Sequence, residues 1–507
     1  MPELVSNDRS EPQSYTARIW AHSARSPESI AIRWTPDGEE STTVTFRQLC
    51  RAADRLALRL VEFGATEESM VGFALPNGVA FFVALLAIWR IGACPTPLKP
   101  DMTPAEREPL LRMIRSPVLI VRRDFGPGPI ISEAEIDELV RAEISGKATG
   151  SESAEQLPHT VPRRCWAIAS GGSTGLPKII LNQRPASMAW QFVAMDKSGA
   201  LDNQLVCLPL YHTSALSMAV KTLLDGGSLV VLPRFNAGQV VAAVERFQIS
   251  LLNLVSATMV RLARHPGITR EGMLSLRTII VGGGAFPQSL LREWGELIDL
   301  EKIIFGYGAS EGHGSCFITG AAMLERPGSV GKPERCDIKI LDDGGENLPS
   351  GQVGEIWARN HSGDSQAFDY LGGDVPRKRP DGFVSVGDVG WVDADGYLYI
   401  SDRRTDMIKT GGVNVFPAEV EAALISMPGI IDAAVIGLPD PDWSRALHAI
   451  LVPADPLNPP AEIAIRAFLR ERLTALKIPK TFEFVSTLGR AETMKLNRRK
   501  LTEERMG

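Results

Sequence analysis

The stretch CWAIASGGSTGLPKIILNQR, residues 165 to 184, sets glycines, hydroxyls and one lysine between two β-prone runs. Backbone N–H groups freed by glycine, with an ammonium nearby, make an anion cradle, and phosphate is the anion such a loop would hold. Ser170, Gly171, Gly172, Ser173, Thr174 and Gly175 would form the cradle, and Lys178 would add the charge. This is not a Walker A loop. That motif places Gly and Lys side by side and opens a helix, whereas Leu176 and Pro177 separate Gly175 from Lys178 here. CWAIAS and KIILNQ both read as strands, so the loop is expected to be a hairpin-like connection able to fold over a triphosphate and withdraw. Taken alone, the segment reads equally well as a Gly/Ser surface turn.

The elements that must position this loop follow from hydrophobic periodicity. From about residue 45 to 300, helical patterns alternate with short β-rich runs: TFRQLCRAADRLALRLVEFG reads as helix, SMVGFAL as strand, GVAFFVALLAIWRIG as helix. Likewise SLVVLP, QVVAAVERFQI, SLLNLVS and RTIIVGGG read as strand, helix, strand and strand, which predicts more than one mostly parallel sheet. Between 335 and 401 the pattern changes to short alternating strands with Gly/Asp turns, predicting a small β-rich subdomain. After the charged break SDRRTD comes a stretch with its own helices, AEVEAALISM and AEIAIRAFLRERLTAL, and its own strands, DAAVIGLP and HAILVP. It predicts a separate C-terminal domain of ordinary size. Residues 146 to 163 are polar enough for a surface loop.

Bulk composition narrows the function. A chain of 507 residues is long enough for several structural units. With 54 Lys+Arg against 60 Asp+Glu, it lacks the basic excess of a phosphate-backbone binder, so nucleic acid is not an expected partner. The six cysteines, at 50, 94, 165, 207, 316 and 336, show no paired spacing. Neither a zinc site nor a disulfide framework is suggested, and a cytoplasmic, reducing location fits best. The N-terminal MPELVSNDRSEPQSY does not read as a signal peptide. The most apolar segment, GVAFFVALLAIWRIGA, contains Arg90 and falls short of a membrane-spanning length, so a buried helix and no membrane span are expected.

Five further segments change the weight of the glycine loop: GGGAFP (282 to 287), FGYGASEG (305 to 312), VSVGDVG (384 to 390), SDRRTDMIKTGGVNVFPAEVE (401 to 421) and RAETMKLNRRKL near the C-terminus. In order and spacing they resemble the motifs of the adenylate-forming superfamily, which includes acyl- and aryl-CoA synthetases, carrier-loading adenylation domains and firefly-type luciferases. The resemblance covers nearly the whole chain. It implies an α/β fold with a large N-terminal AMP-binding domain, residues 1–404, made of two α/β subdomains and a small β-barrel. A small mobile α+β C-terminal lid, residues 405–507, would follow a hinge near 402–405. The implied activity is an AMP-forming acid–thiol ligase that uses ATP, Mg²⁺ and coenzyme A.

That chemistry has a simple physical logic. A carboxylate repels nucleophiles and offers a poor leaving group, and joining it to AMP cures both faults. In-line attack on the α-phosphorus concentrates negative charge, so cations and positioned donors matter more than a covalent nucleophile. The resemblance implies that residues 170 to 175 cradle the leaving pyrophosphate with Lys178 nearby. Glu311 would hold Mg²⁺ through a hard oxygen ligand, although a solvated carboxylate in a Gly-rich turn is the structural alternative. Tyr307, with Gly308, Ala309 and Ser310, would line the nucleotide, Tyr307 offering a face to adenine. Gly283 and Gly284 could let backbone approach the base or acyl group, and a tight strand-to-helix turn would explain them equally well. Asp388 suits both ribose hydroxyls and Arg403 resembles a second ribose contact. Lys495 would bridge carboxylate and α-phosphate in the adenylating state. Lys409, Gly411 and Gly412, in KTGGVN, would reach the site after lid rotation, the glycines giving pantetheine a narrow passage.

His212, in LPLYHTSAL, resembles the gate beside the nascent carbonyl, with a satisfied core histidine as the alternative. Amino-acid-activating relatives carry Asp there, so the acid is expected to lack an α-amino group. Small residues at Ala215, Ser256, Gly283, Gly284 and Ala309 suggest a roomy apolar pocket for a bulky alicyclic, aryl or fatty acid.

The chain also departs from the family pattern. Gly171 replaces a hydroxyl, Ile179 a glycine, Thr405 the usual charged hinge residue, Gly489 a proline and Met494 a glycine. A lost hydroxyl removes one charge-assisted hydrogen bond to phosphate, worth about 1.5–3 kcal/mol. Three readings therefore stand: a complete acyl-CoA ligase; a half-reaction enzyme that thioesterifies an adenylate made by a partner adenylating enzyme, or loads an acyl carrier protein; and a silent nucleotide- or acyl-binding homologue. Retention of Glu311, Asp388, Arg403 and Lys495 counts against the third.

Overall fold

Helix Val79–Arg90 has no polar face, and in the computed structural model all of its residues are buried, Arg90 included. The structure describes residues 13–36, 42–122, 125, 128–148, 157–171, 177–188, 201–282, 286, 288–309, 311–312, 314–361, 368–372, 376–403, 406–410, 413–440, 443–490, 496 and 498–506. The chain divides into two compact units. One comprises Met1–Asn253, Ser275–Arg277 and Gln366–Val375; the other comprises Leu254–Leu274, Thr278–Ser365 and Pro376–Gly507.

The first unit contains three sets of paired strands. Asn203–Val206, Ser228–Val231 and Ile30–Trp34 run parallel, with Thr42–Thr45 added antiparallel at the edge. A second sheet, in the order Cys94–Pro97, Met70–Ala74, Leu119–Val121, Ile130–Ser132, is wholly parallel. Pro95 and Pro97 cannot donate to a ladder, which suits their strand to its place at the sheet edge. Helix Phe46–Glu62 opens with a capping box, Thr45 accepting from the Gln48 amide at 3.3 Å while Gln48 Oε1 accepts from the Thr45 amide at 2.9 Å. It buries Leu49, Ala52, Ala53, Leu56 and Leu60, spaced along one face, in the same core as Val79–Arg90.

The third sheet holds the glycine loop. Ala167–Gly171 and Pro177–Asn182 pair antiparallel, with Ser170 opposite Lys178 and Gly171 opposite Pro177, so the expected hairpin is present. Its tip, residues 172–176, lies outside the described residues. Trp89 donates its indole N–H to the Cys165 carbonyl at 2.7 Å, tying the buried helix to the start of this hairpin. Phe368–Leu371 supplies the third strand. The sequence pattern read the whole of 335–401 as one small β-rich subdomain, and this strand inside that stretch departs from it. Its apolar members, Phe368 and Leu371, instead find partners beside Pro177–Asn182.

In the second unit, Thr278–Gly282 and Ile303–Tyr307 pair in parallel. Antiparallel pairing then runs through Cys316–Thr319, Ser329–Pro333, Leu398–Arg403, Val384–Val392, Gly354–Asn360 and Cys336–Leu341. Helix Ser256–Ala263 was not legible in the strand-to-strand pattern, being eight residues long. Toward the C-terminus, Ile430–Asp440 and Ser444–Pro453 form a long antiparallel pair, and Thr481–Phe484 joins in parallel. Helices Pro417–Ile425 and Glu462–Arg470 cover one face, burying Val420, Leu424, Ile465 and Leu469 with Val435 and Leu451. The second helix is shorter than its periodicity predicts, because after Arg470 the chain turns into a 3₁₀ segment, Ala475–Lys477. No helix among the described residues is long and apolar enough to cross a membrane.

Candidate active site

Asp388 sits where two glycines bend its strand. Gly387 has φ of +78°, and a Cβ at Gly390 would lie 2.1 Å from the Tyr399 carbonyl oxygen, so both positions are closed to most side chains. The ladder with Leu398–Arg403 shifts register between Val389 and Gly390, a bulge of the kind that re-aims side chains. Asp388 stands opposite Arg403 in that ladder and is half-buried. Its Oδ2 accepts a hydrogen bond from the Tyr307 hydroxyl at 2.5 Å. Three residues expected to serve the nucleoside, Tyr307, Asp388 and Arg403, are thus brought together by the register of neighbouring strands.

Tyr307 ends strand Ile303–Tyr307, and the chain then turns through Gly308 and Ala309. The Gly312 amide donates to the Ala309 carbonyl at 2.9 Å, with Gly312 at φ +76°, and Glu311 rides on this turn half-exposed. Asn360 pins the turn by donating to the Gly312 carbonyl at 3.0 Å. Nothing in the sequence reading singled out Asn360. A polar residue ending a buried strand is the signal that could have found it. Ser310, Gly283 and Gly284 lie outside the described residues.

In the first unit, Lys178 projects from the mouth of the hairpin, its ammonium 4.0 Å from the centroid of the Tyr370 ring. His212 precedes helix Thr213–Asp225, its ring 4.4 Å from that of Tyr211. The loop before it is held by Asn77, a residue the sequence reading also missed. Asn77 donates to the carbonyls of Leu208 and Leu232 at 3.0 and 3.3 Å and accepts from the Leu210 amide at 3.0 Å. Of the residues expected to line an acyl pocket, Ala215 is buried on the His212 helix, while Ser256 and Ala309 belong to the second unit and are half-buried.

Lys409 lies on strand Ile408–Thr410, which pairs with Val413–Val415, while Gly411 and Gly412 at the turn lie outside the described residues, as do residues 404–405 of the expected hinge and Lys495. The neighbourhood just past Lys495 is described. Arg498, at the start of helix Arg498–Met506, donates to Asp406 Oδ2 at 2.8 Å and to Glu421 Oε2 at 2.7 Å. Glu421 in turn accepts the Val435 amide at 2.8 Å.

One unit carries the glycine hairpin with Lys178, and the other carries Tyr307, Asp388 and Arg403 in register and Glu311 on a tight turn. Residues 19–363 match the AMP-binding enzyme family, and residues 419–495 match the C-terminal domain of AMP-binding enzymes. The chain belongs to this family. A feruloyl-CoA synthase of an Amycolatopsis species is 32% identical over 477 residues, 91% of this chain and 93% of the relative. A 2-succinylbenzoate–CoA ligase of Bacillus licheniformis is 32% identical over 476 residues, 90% of this chain and 94% of the relative. Among solved structures, the o-succinylbenzoate CoA synthetase of Bacillus subtilis in complex with its acyl-adenylate intermediate aligns with a TM-score of 0.77 and 26% identity, over 97% of this chain and 98% of that one.

Proposed function

We propose that this chain is an AMP-forming acyl-CoA ligase acting on a bulky apolar carboxylic acid, aryl, alicyclic or fatty. In the first step a carboxylate oxygen attacks the α-phosphorus of ATP, the bond to the bridging oxygen breaks, and pyrophosphate leaves. In the second, the thiolate of coenzyme A attacks the acyl carbonyl and AMP leaves. The observation that carries this reading is the Tyr307–Asp388 hydrogen bond beside the Asp388/Arg403 register pair, in a chain whose family binds AMP. A paired carboxylate that accepts from a phenol is already oriented, and its acceptor capacity suits a ribose diol.

In the same reading, residues 170–175 and Lys178 hold the leaving pyrophosphate. Lys495 neutralises charge as the adenylate forms, and Lys409, Gly411 and Gly412 serve the thiol step. Magnesium fits as well. It keeps several waters and takes one or two carboxylates alongside substrate phosphates, and the half-exposed Glu311 on its turn is such a donor. Bound there, the ion would supply charge neutralisation for the phosphates. The lid reading, 1–404 and 405–507 about a hinge near 402–405, is supported by the two separate family matches. A cytoplasmic location accords with the pool of ATP and coenzyme A. His212 in place of an acidic residue favours acids without an α-amino group.

The test is ATP–pyrophosphate exchange over a panel headed by ferulate and 2-succinylbenzoate, then fatty acids and acetate, paired with AMP release from synthetic acyl-AMP plus either coenzyme A or a holo-carrier protein. Exchange with a bulky acid and AMP release with coenzyme A are expected. Lys495→Ala should abolish exchange and leave the thiol step largely intact. Equal loss of both steps would remove Lys495 from the assigned role, and preference for acetate would remove the roomy pocket.

A further inference from the structure

The chain leaves its second unit for ten residues, Gln366–Val375, and in that excursion adds strand Phe368–Leu371 to the hairpin of the first. Tyr370 stands opposite Ile180, two residues from Lys178 along the neighbouring strand. Diagonal cross-strand neighbours at that spacing lie within reach of aromatic and long side chains, and the Lys178 ammonium lies 4.0 Å above the Tyr370 ring. The ring is itself held. Phe368, on the same face and 4% exposed, packs against it with centroids 5.2 Å apart, and the Tyr370 amide donates to Asp369 Oδ1 at 2.9 Å. In the backbone register Ser170 stands opposite Lys178.

A π-face attracts an ammonium without neutralising it. The ring thus restrains the cation without itself cancelling the charge that an incoming anion would meet. The cation also gives up less conformational entropy on binding than a freely rotating lysine would. We propose that Tyr370 is a positioning residue that holds Lys178 for the β- and γ-phosphates of ATP, so that it favours the triphosphate over the monophosphate. The inference rests on the reading of Lys178 as the pyrophosphate-side cation.

Calorimetric titration of the full chain with MgATP, and separately with AMP, tests it without knowledge of the acid. Tyr370→Leu keeps an apolar side chain and removes the π-face. It should weaken MgATP about threefold to tenfold, the range of a partly exposed cation–π contact, and leave AMP unchanged. Tyr370→Phe keeps the ring and should bind both like the natural chain. Lys178→Ala should weaken MgATP about tenfold or more while sparing AMP, and adding Tyr370→Leu to it should change nothing further. If Lys178→Ala weakens MgATP but Tyr370→Leu does not, the role of Tyr370 is overturned alone. If Tyr370→Leu weakens MgATP and AMP equally, the ring is only structural. If Lys178→Ala leaves MgATP unchanged, the phosphate reading of Lys178 falls and takes the proposal with it.

Discussion

Two aspartates, one in each unit, show how the same side chain serves opposite ends. Asp54 faces Arg90 with N···O of 2.7 Å, their side chains 7% and 2% exposed, and its other oxygen accepts from the Trp20 indole at 3.0 Å. The Arg90 guanidinium also lies over the Trp20 ring, 5.4 Å from its centroid. Asp388 accepts from the neutral Tyr307 hydroxyl and is half-buried on a strand bent by glycine. A charge sealed with its counter-charge inside a core is strongly destabilising to disturb and of little use to a ligand. A half-buried charge that accepts from a neutral hydroxyl keeps contact with solvent and contributes less to folding than a sealed ion pair. Arg498 with Asp406 and Glu421 falls between them, with side chains 11% to 25% exposed.

The contrast is sharpest under mutation. Asp54→Ala strands a buried guanidinium and should cost about 3–5 kcal/mol of stability in denaturant titration. The double change Asp54→Leu with Arg90→Met should recover most of that loss, because apolar replacement of a sealed pair is often close to neutral. A single mutant as stable as the natural chain would end the distinction drawn here. Asp388→Ala should do the reverse, weakening AMP by about 1.5–3 kcal/mol through lost charge-assisted hydrogen bonds while the melting temperature barely moves. Arg498→Gln should cost about 1 kcal/mol of stability, nearer to a partly screened pair than to a sealed one.

The last effect concerns pH. His159, whose ring is 5.6 Å from that of Trp20, has its pKa pushed down from 6.5 to about 4, first by burial and then by the charge of Arg90. Below 6.5 the unfolded chain takes a proton there that the folded chain refuses until about pH 4. Stability should therefore fall as pH drops through that window and level off below it. His159→Gln should flatten the melting temperature against pH over the same window, and an unchanged slope would show that other groups govern it.

How much of this could be read in advance differs by residue. The run 79–90, apolar up to Arg90, could only be buried, and the periodicity of 46–62 could only be amphipathic helix. The glycines around Asp388 were visible, yet their reasons were not: one is a left-handed turn and the other a carbonyl that leaves no room for a Cβ. Asn77, Asn360 and Tyr370 went unread because each acts on a group more than forty residues away. A spacing pattern within one segment carries no sign of such a partner. The stretch 335–401 was read as one β-rich subdomain, and the strand at 368–371 inside it pairs with Pro177–Asn182 instead, for the same reason.

The sequence by itself determined the α/β alternation, the hairpin around the glycine loop and the set of chemical groups on offer, because local propensity, periodicity and motif order are properties of neighbouring residues. The tertiary structure alone decided which groups meet. Asp388 accepts from Tyr307 and stands opposite Arg403 in the strand register, Lys178 finds the ring of Tyr370, and Arg90 finds Asp54. Those meetings depend on strand register and on burial, which take their values only when distant segments pack together.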